Sequence, residues 1–338
     1  MPSDIVRLVI DGKEFTGWTG VTISMAIDQL ADAFSVTAPF DPALKGAFKP
    51  FGYQAVQLYI DSDIVLSGRI DKIDAKTDAS DRSINMQGRS LTGILGDCSI
   101  EGDLEFSGLT LATIARKLCK PFGITVRADA DTSPLEVARA EYGQSPADFL
   151  NSLAAPRNLF LNSSFDGMLV ISSAKDLGTK MPKDNLIEGE APLLSVSASF
   201  DATKRFSAYT AAMQFAGEAD LTGSISDPSI KIYRPKVAAL DDSDQDATIT
   251  ASRLRSGAYA SAVGISASVS GWRRKDGMRW AERQALNLTA PGSMLYKQAK
   301  YIIAGATFKL DTGGRTTDLR LVLPETYSGS MPKSEAWA

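Results

Sequence analysis

The sequence predicts a mainly β protein with a smaller α+β module set between β-rich segments. Three observations carry this. Residues 56–90 alternate apolar and polar side chains in three runs joined by short polar turns. From Leu193 the chain returns to the same alternation. Between the two, apolar residues recur at helical spacing, framed by capping residues.

The elements follow in order. In IVRLVIDGKEFTGW near the start, Asp11-Gly12 separates two apolar runs, a short-range hairpin signal. Val21–Ile27 alternates, and Phe34–Ala38 reads as a further short strand. Pro39 and Pro42 punctuate a loop reaching Pro50, and Phe40, Leu44, Phe48 and Phe51 are expected to pack it onto its own sheet. Val56, Leu58 and Ile60 then alternate with Gln57 and Tyr59, and Asp61-Ser62-Asp63 supplies turn chemistry. Ile64–Lys76 is a second extended run, Thr77–Asp81 a second polar turn, and Ser83–Gln87 a third strand with Ile84 and Met86 on one face. Three strands on short turns can hold a hydrophobic face that a lone hairpin cannot. This meander is therefore expected to be the core of a small barrel or sandwich.

After Ser90 the pattern changes. Leu111, Ile114, Ala115 and Leu118 fall on one face of a helix over Leu109–Lys120, with Thr110 as N-cap and Pro121 as its stop. Gly123 leads to a short strand, Ile124–Val126. Ser145-Pro146-Ala147-Asp148 is a helix start: capping serine, proline at the first helical position, and an acid at the third. That helix runs to about Pro156, and NLFLNSSFDGMLVISS follows as a hairpin turning at Asp166-Gly167. Ser195–Phe200 and Phe206–Phe215 read as strands, and residues 216–230 as a Gly/Ser/Asp-rich loop. A helix is expected over Ala247–Tyr259 with Arg253 and Arg255 exposed, then a strand over Ser261–Ser270. Met294–Leu310 and Arg315–Leu323 form a long hairpin across Asp311–Gly314. The expected division is a first β domain at 1–96, an inserted α+β module at 97–190 and a second β domain with a helix at 191–338, whose last strands are candidates to complete the first.

Composition narrows the chemistry. A chain of 338 residues is long for one domain, and 44% apolar with 22% charged residues is globular. The net charge of −4 argues against a protein that grips nucleic acid by neutralising phosphates. The sequence contains no histidine, which removes the commonest general base, the commonest metal ligand and every Ser-His or Cys-His pair. Cys98 and Cys119 cannot make a disulfide framework or a four-ligand zinc site, and are read as buried thiols in a reducing cytoplasm. No signal-peptide pattern opens the chain, and no apolar run reaches the ~20 residues of a spanning helix.

Candidate sites are few. Gly88-Arg-Ser-Leu-Thr-Gly93 has the glycine spacing of a phosphate loop, but Ile94 stands where the lysine is needed. Glu101, Asp103 and Glu105 would share one face of an extended segment, where a carboxylate pair could cleave glycosides; a solvated strand face is the plainer reading. The acidic run Asp241–Asp246 lacks the glycine and distal glutamate of a calcium loop, and reads as a solvated loop leading into a helix. The densest basic and aromatic cluster is Trp272-Arg-Arg-Lys-Asp-Gly-Met-Arg-Trp280. Nucleic acid could stack on such residues. However, Lys275-Asp276-Gly277 is a hairpin turn that lets Trp272 and Trp280 meet as structural anchors, with the arginines bonding carboxylates. No catalytic, cofactor-binding or metal-binding residue is assigned.

Five segments occur in an order that resembles a known family. They are IDGKEFTGWTGVTISMAID, GRIDKIDAKTDASDRSINMQGRSLTGILGDCS, LTLATIARKLCKPFGITV, VSGWRRKDGMRW and TFKLDTGGRTTDLRLVLP. Together they resemble the baseplate hub proteins of contractile tails related to phage Mu, the family of the Mu tail protein P and the late control protein D. Residues 216–245 and the segment AERQALNL do not carry the likeness. The resemblance implies two small tail-tube-like β-barrels plus an inserted α+β module. It further implies a homotrimeric ring fitting the sixfold tail tube to the threefold central spike, beside other baseplate proteins. DNA would pass through without specific binding, with no cofactor and no catalysis. The location implied is the tail baseplate of the virion, after assembly in the host cytoplasm. Two alternatives stand beside it: the hub of a tailocin or secretion-type injection machine, and a tail-associated cell-wall hydrolase.

Overall fold

The structure is a computed structural model that describes residues 4–44, 46–79, 82–157, 159–173, 177–213, 221–240, 246–326, 331–332 and 335–337. The acidic stretch 241–245 and the end of the expected 77–81 turn lie outside these residues. The chain is mainly β, as its alternation predicts, and divides into two compact units. The first holds residues 1–174, 270–282 and 304–318; the second holds 175–269, 283–303 and 319–338.

The first unit is built on one antiparallel sheet. Its strands are β1 (Val6–Ile10), β2 (Lys13–Phe15), β3 (Gly20–Ala26), β4 (Ala33–Pro39), β5 (Ala55–Ile60), β6 (Asp63–Thr77) and β7 (Arg82–Ser90). They lie in the order β3-β4-β7-β6-β5-β1-β2, and residues 305–310 of the long strand Leu295–Asp311 pair with β3. Asp11 and Gly12 both take positive φ, the type I′ geometry that matches strand twist in a two-residue hairpin. The apolar residues of the alternation, among them Leu8, Ile10, Ile23, Val36, Leu58 and Met86, are buried on one face. The opposite face carries hydroxyls and amides that bond one another: Ser24 with Thr307 at 2.8 Å, and Asn85 donating to Ser35 at 2.9 Å and Thr37 at 2.8 Å.

The α+β module has its own core in the same unit. Helices Leu111–Cys119 and Pro146–Ala154 contribute Ile114, Ala115, Phe149 and Leu150, packed with Leu161, Leu169 and Ile171 of the hairpin Leu159–Ser163 and Leu169–Ser173. Both caps form as the sequence implies. Thr110 Oγ1 accepts from Thr113 N at 3.2 Å, and Ser145 Oγ accepts from Asp148 N at 3.0 Å. Two details differ from expectation. The short strand after Gly123 is Val126–Ala128, set two residues later by its parallel register with Leu169–Ile171. Leu109 and Thr110 end a strand, Glu105–Thr110, that pairs across the intervening helix with Pro134–Arg139; neither strand alternates cleanly and the sequence did not announce the pair.

In the second unit, Pro182–Ile187 runs parallel to Ala285–Ala290, which pairs with the first part of Leu295–Asp311. Leu193–Phe200 pairs antiparallel with Val263–Ser270. A separate sheet sets Ala208–Met213 between Leu221–Ser226 and Pro235–Ala239. The expected loop over 216–230 is thus corrected: its residues 221–226 are a strand. Gly and Ser suggested a loop, but Gly223 is small because helix Ala247–Ala262 lies on it. A Cβ there would stand 2.3 Å from the Ala247 carbonyl carbon. Arg255 is also corrected from exposed to half-buried, donating to the Ser226 carbonyl at 3.1 Å. Arg205 pairs with buried Asp227 at 2.8 Å and lies 4.4 Å from the Tyr259 ring centroid.

In the first unit, a tight polar joint links the β3–β4 turn to the end of β7. Ser90 N donates to Asp32 O at 2.9 Å, Asp32 N to Ser90 Oγ at 3.1 Å, and Thr92 Oγ1 to Leu30 O at 2.7 Å. Leu30 and Leu91 reach the module core from here. Burial, then the nearby Glu282, push the Asp32 carboxyl well above its ordinary range. The folded chain therefore holds a proton that an unfolded aspartate has lost, so stability falls as pH rises above the usual carboxylate range. Asp32→Asn is expected to remove that slope, raising the melting temperature at pH 7–8 more than at pH 5. An unchanged pH dependence in thermal melts would show that Asp32 is ionised in the fold.

Candidate assembly site

The tryptophan hairpin expected from sequence spans the segment Ser270–Glu282 of the first unit. Its turn is tied by Arg274 N donating to Met278 O at 2.8 Å and Trp280 N to Trp272 O at 3.2 Å, with an antiparallel bridge between Arg273 and Arg279. Trp272 is 0% exposed and Trp280 1%. Trp272 Nε1 donates to Lys309 O at 3.0 Å and to Thr316 O at 3.1 Å. Its ring meets Phe308 edge-on, with centroids 6.0 Å apart.

The arginines bond carboxylates from the far side of the same sheet. Arg273 Nε lies 2.6 Å from Asp4 Oδ1, and its Nη2 3.0 Å from Asp61 Oδ2. Asp4 precedes β1 and Asp61 turns β5 into β6. Arg279 lies 3.4 Å from Asp63. Burial works against the charge on Arg273, but Asp4 and Asp61 outweigh it and raise its pKa; on Arg279 burial prevails over Asp63 and lowers it. The indole of the hairpin thus holds one end of the sheet and its guanidinium the other. Arg273 and Arg279 are each matched to carboxylates of the β1 and β5–β6 end of the sheet, which makes the joint a clasp.

The remaining candidates do not converge. Gly88 stays within β7 and Gly93 ends a 3₁₀ turn, so no strand–loop–helix phosphate cradle forms. Glu101 and Asp103 precede the strand that Glu105 opens, so the expected shared face is corrected; Glu105 pairs with Arg139 at 2.9 Å. The sequence read them as extended, and Gly102 at positive φ breaks the run. Asp246 caps helix Ala247–Ala262 through Ile249 N at 2.9 Å. Cys119 is buried, which pushes its thiol up to about 12, whereas Cys98 is only half-buried, a correction to the expected pair of buried thiols.

Two features escaped the sequence reading. A groove of about 370 Å³ opens on the outer face of β3, β4, β6 and β7, lined by Ala33, Phe34, Ser35, Gln87, Gly88 and Arg89. Arg89 is clamped across it: Nε to Asp71 at 2.6 Å, Nη1 and Nη2 to Asp97 at 3.0 and 2.6 Å. The register shift between Ile70 and Lys72 in β6 was the one signal that a bulge bends the sheet there, and sequence does not show it. The second is the loop before β5. Phe48 packs on Phe15 as expected, with centroids 5.1 Å apart, but Phe51 is 96% exposed, correcting the expectation that this loop turns all its aromatics inward.

We propose that Trp272 and Trp280 anchor the hairpin in different ways. Alanine at either buried indole should cost about 3–5 kcal/mol. Phenylalanine separates them. Trp272→Phe strands two carbonyls, whereas Trp280 Nε1 is buried with no hydrogen-bond partner among the described residues. Denaturant unfolding should therefore find Trp272→Phe less stable than Trp280→Phe by about 1–2 kcal/mol. Equal losses would mean that the indole hydrogen bonds contribute nothing.

Comparison with known proteins fits this frame. Residues 5–90 match the family described as Mu phage baseplate assembly protein GpP-like, N-terminal, and residues 92–173 match baseplate hub protein gp44-like, second domain. The chain is 28% identical to baseplate hub protein gp44 of Escherichia phage Mu, over 96% of this chain and 89% of that protein. Among solved structures it resembles the 43 kDa tail protein of prophage MuSo2 from Shewanella oneidensis, with a TM-score of 0.84, 27% identity, and 96% and 99% of the two chains covered. The tail protein from Neisseria meningitidis MC58 shares the fold at a TM-score of 0.84 and 22% identity, over 96% of this chain and 98% of that one. The clasped sheet, the module that follows it and these likenesses together place the chain in the family of baseplate hub proteins of Mu-like phage tails.

Proposed function

We propose that this hub protein works as a homotrimeric ring that joins the sixfold tail tube to the threefold central spike. Its role is to match shapes and breaks no bond. Three copies with two β domains each would present six similar blocks to the tube. In this reading the domains are residues 1–96 and 191–338, with the α+β module 97–190 inserted and the last strands completing the first domain. DNA would cross the bore without specific binding, past a neutral or acidic wall, since like charges repel and a chain of net charge −4 offers little to hold phosphate. The ring would be assembled in the host cytoplasm with other baseplate proteins.

One observation carries the reading. Strand Leu193–Phe200 (LLSVSASF) ends its sheet among the described residues, pairing only with Val263–Ser270. It carries no charged residue, and Leu194 is 58% exposed. Proteins that stay single protect such edges with lysine, proline or a cover, because free backbone groups there recruit another strand. Ser293 Oγ takes one carbonyl of the strand, that of Val196, at 3.0 Å, and Trp337 packs on Phe200 at its end. An edge of this length with so light a cover supports pairing with a neighbouring copy, and a repeated head-to-tail contact closes a ring.

Sedimentation of the purified chain is expected to give three times the monomer mass. Placing lysine at Leu194 and Ser197 should return the mass to that of a monomer with an unchanged circular dichroism spectrum. A wild-type chain that stays monomeric at every concentration would contradict the ring.

A further inference from the structure

The second unit carries a basic ridge whose charge is not answered. Lys231, Arg234 and Lys236 stand close together in KIYRPK, which leads into strand Pro235–Ala239. The fold holds Arg234 in place: its N donates to Ser207 Oγ at 2.9 Å, Nε to Arg205 O at 3.2 Å and Nη2 to Thr203 O at 2.9 Å. Lys231 Nζ donates to Pro228 O at 2.8 Å. The Arg234 guanidinium and the Lys236 ammonium lie 5.4 and 5.7 Å from the centroid of one ring, that of Phe206. None of the three meets a carboxylate among the described residues, whereas adjacent Lys204 and Arg205 are answered by Asp201 at 3.8 Å and Asp227 at 2.8 Å. Like charges gathered round one ring repel, and an anionic face brought to them relieves that repulsion. Among these cations Ile232 is 64%, Tyr233 90% and Val237 66% exposed.

The first unit carries a face of opposite charge and similar make-up. Ile100 N donates to Gln144 O at 2.9 Å and Ala140 N to Leu104 O at 2.8 Å, which lays residues 100–104 beside 140–144. Glu141 N donates to Gln144 Oε1 at 2.9 Å. Glu101, Asp103 and Glu141 therefore share one exposed corner, next to Tyr142 at 96% exposure. These three carboxylates meet no cation among the described residues, while Glu105 beside them is already paired with Arg139 at 2.9 Å. Ridge and corner thus match: unanswered cations with an exposed ring on one, unanswered acids with an exposed ring on the other. Duplex DNA is a poorer occupant of the ridge. Phosphates would take the charges but leave Ile232 and Val237 in water, whereas a protein face covers them.

We propose that the Lys231–Lys236 ridge of one copy docks on the Glu101, Asp103 and Glu141 corner of the next copy around the ring. Ridge and corner belong to different units, so the contact is heterologous, the kind that repeats and closes. Six alternating blocks set the second domain of each copy beside the first domain of the next, and the module that carries the corner directly follows that first domain in the chain. Complementary charge selects register as well as partner. The proposal rests on the ring above and adds to its strand edge a contact that salt weakens.

The test uses the full chain and sedimentation over a range of concentrations. Lys231→Glu/Lys236→Glu, which spares the hydrogen-bonded Arg234, should weaken the trimer by about tenfold or more with an unchanged circular dichroism spectrum. Glu101→Lys/Glu141→Lys should do the same. All four changes in one chain restore opposite charges across the contact and should return the trimer to within about threefold of wild type. If either reversal alone leaves the trimer at full strength while the lysine edge variant dissociates, or if the combined variant fails to recover, ridge and corner do not meet and the ring stands. If the ridge reversal abolishes binding of a duplex DNA probe at unchanged trimer mass, nucleic acid is the occupant and the proposal is wrong. A wild type that never exceeds a monomer removes ring and contact together.

Discussion

The first unit depends on a side-chain clasp where a strand ladder does not run. Along its sheet, backbone pairing carries from residues 305–310 through β3, β4, β7, β6, β5, β1 and β2, and among the described residues no ladder joins the two ends. The Trp272–Arg273 pair spans that interval. The indole donates to carbonyls of Lys309 and Thr316, and the adjacent guanidinium bonds Asp4 and Asp61. Neighbouring residues in an extended segment point to opposite sides, which is why one dipeptide can hold both ends. A sheet can bury one apolar face by curling over itself, and the clasp ties together the two ends that such a curl brings near each other.

This explains how charge is used in a chain without histidine. Arg273, Arg279, Arg89, Arg205 and Arg139 each pair with carboxylates, several of them partly buried. An arginine committed to two acids at fixed geometry is a strut, and its charge is no longer available to a substrate. The uncharged bonds of Ser24, Thr307, Ser35, Thr37 and Asn85 do the same on the outer face of the sheet. The polar side chains named here are thus engaged in holding shape.

Much of the fold was legible because period-two alternation and turn residues agree locally. The Asp11-Gly12 hairpin, the meander from Val56 to Ser90 and both helix caps read correctly from sequence, and a turn forms between Trp272 and Trp280 where one was expected. Where the reading failed, a long-range contact had overridden a local signal. Leu221–Ser226 looked like a loop because Gly223 was chosen for the helix that lies on it, a neighbour 24 residues away in sequence. Glu105–Thr110 pairs with Pro134–Arg139, across a span in which neither strand alternates cleanly. Phe51 obeyed the rule that aromatics are buried only in the sense that nothing in its own fold buries it. The candidate site was half visible: the two tryptophans could be picked out by symmetry about a turn, but their partners Asp4, Asp61, Lys309 and Thr316 lie far away in the chain. The groove at Arg89 depends on a bulge in β6, and no residue type marks it.

The clasp is open to one direct measurement. Arg273 and Asp4 are each mostly shielded from water, at 18% and 15% side-chain exposure, so their pairing should not behave as a screened surface contact. A double-mutant cycle with Arg273→Ala and Asp4→Ala, followed by denaturant unfolding, isolates their coupling. The account predicts a coupling of about 1–3 kcal/mol that survives in 0.5 M salt, on the order of a shielded charge-assisted bond. A coupling below about 0.3 kcal/mol would show that the sheet keeps its shape without the clasp.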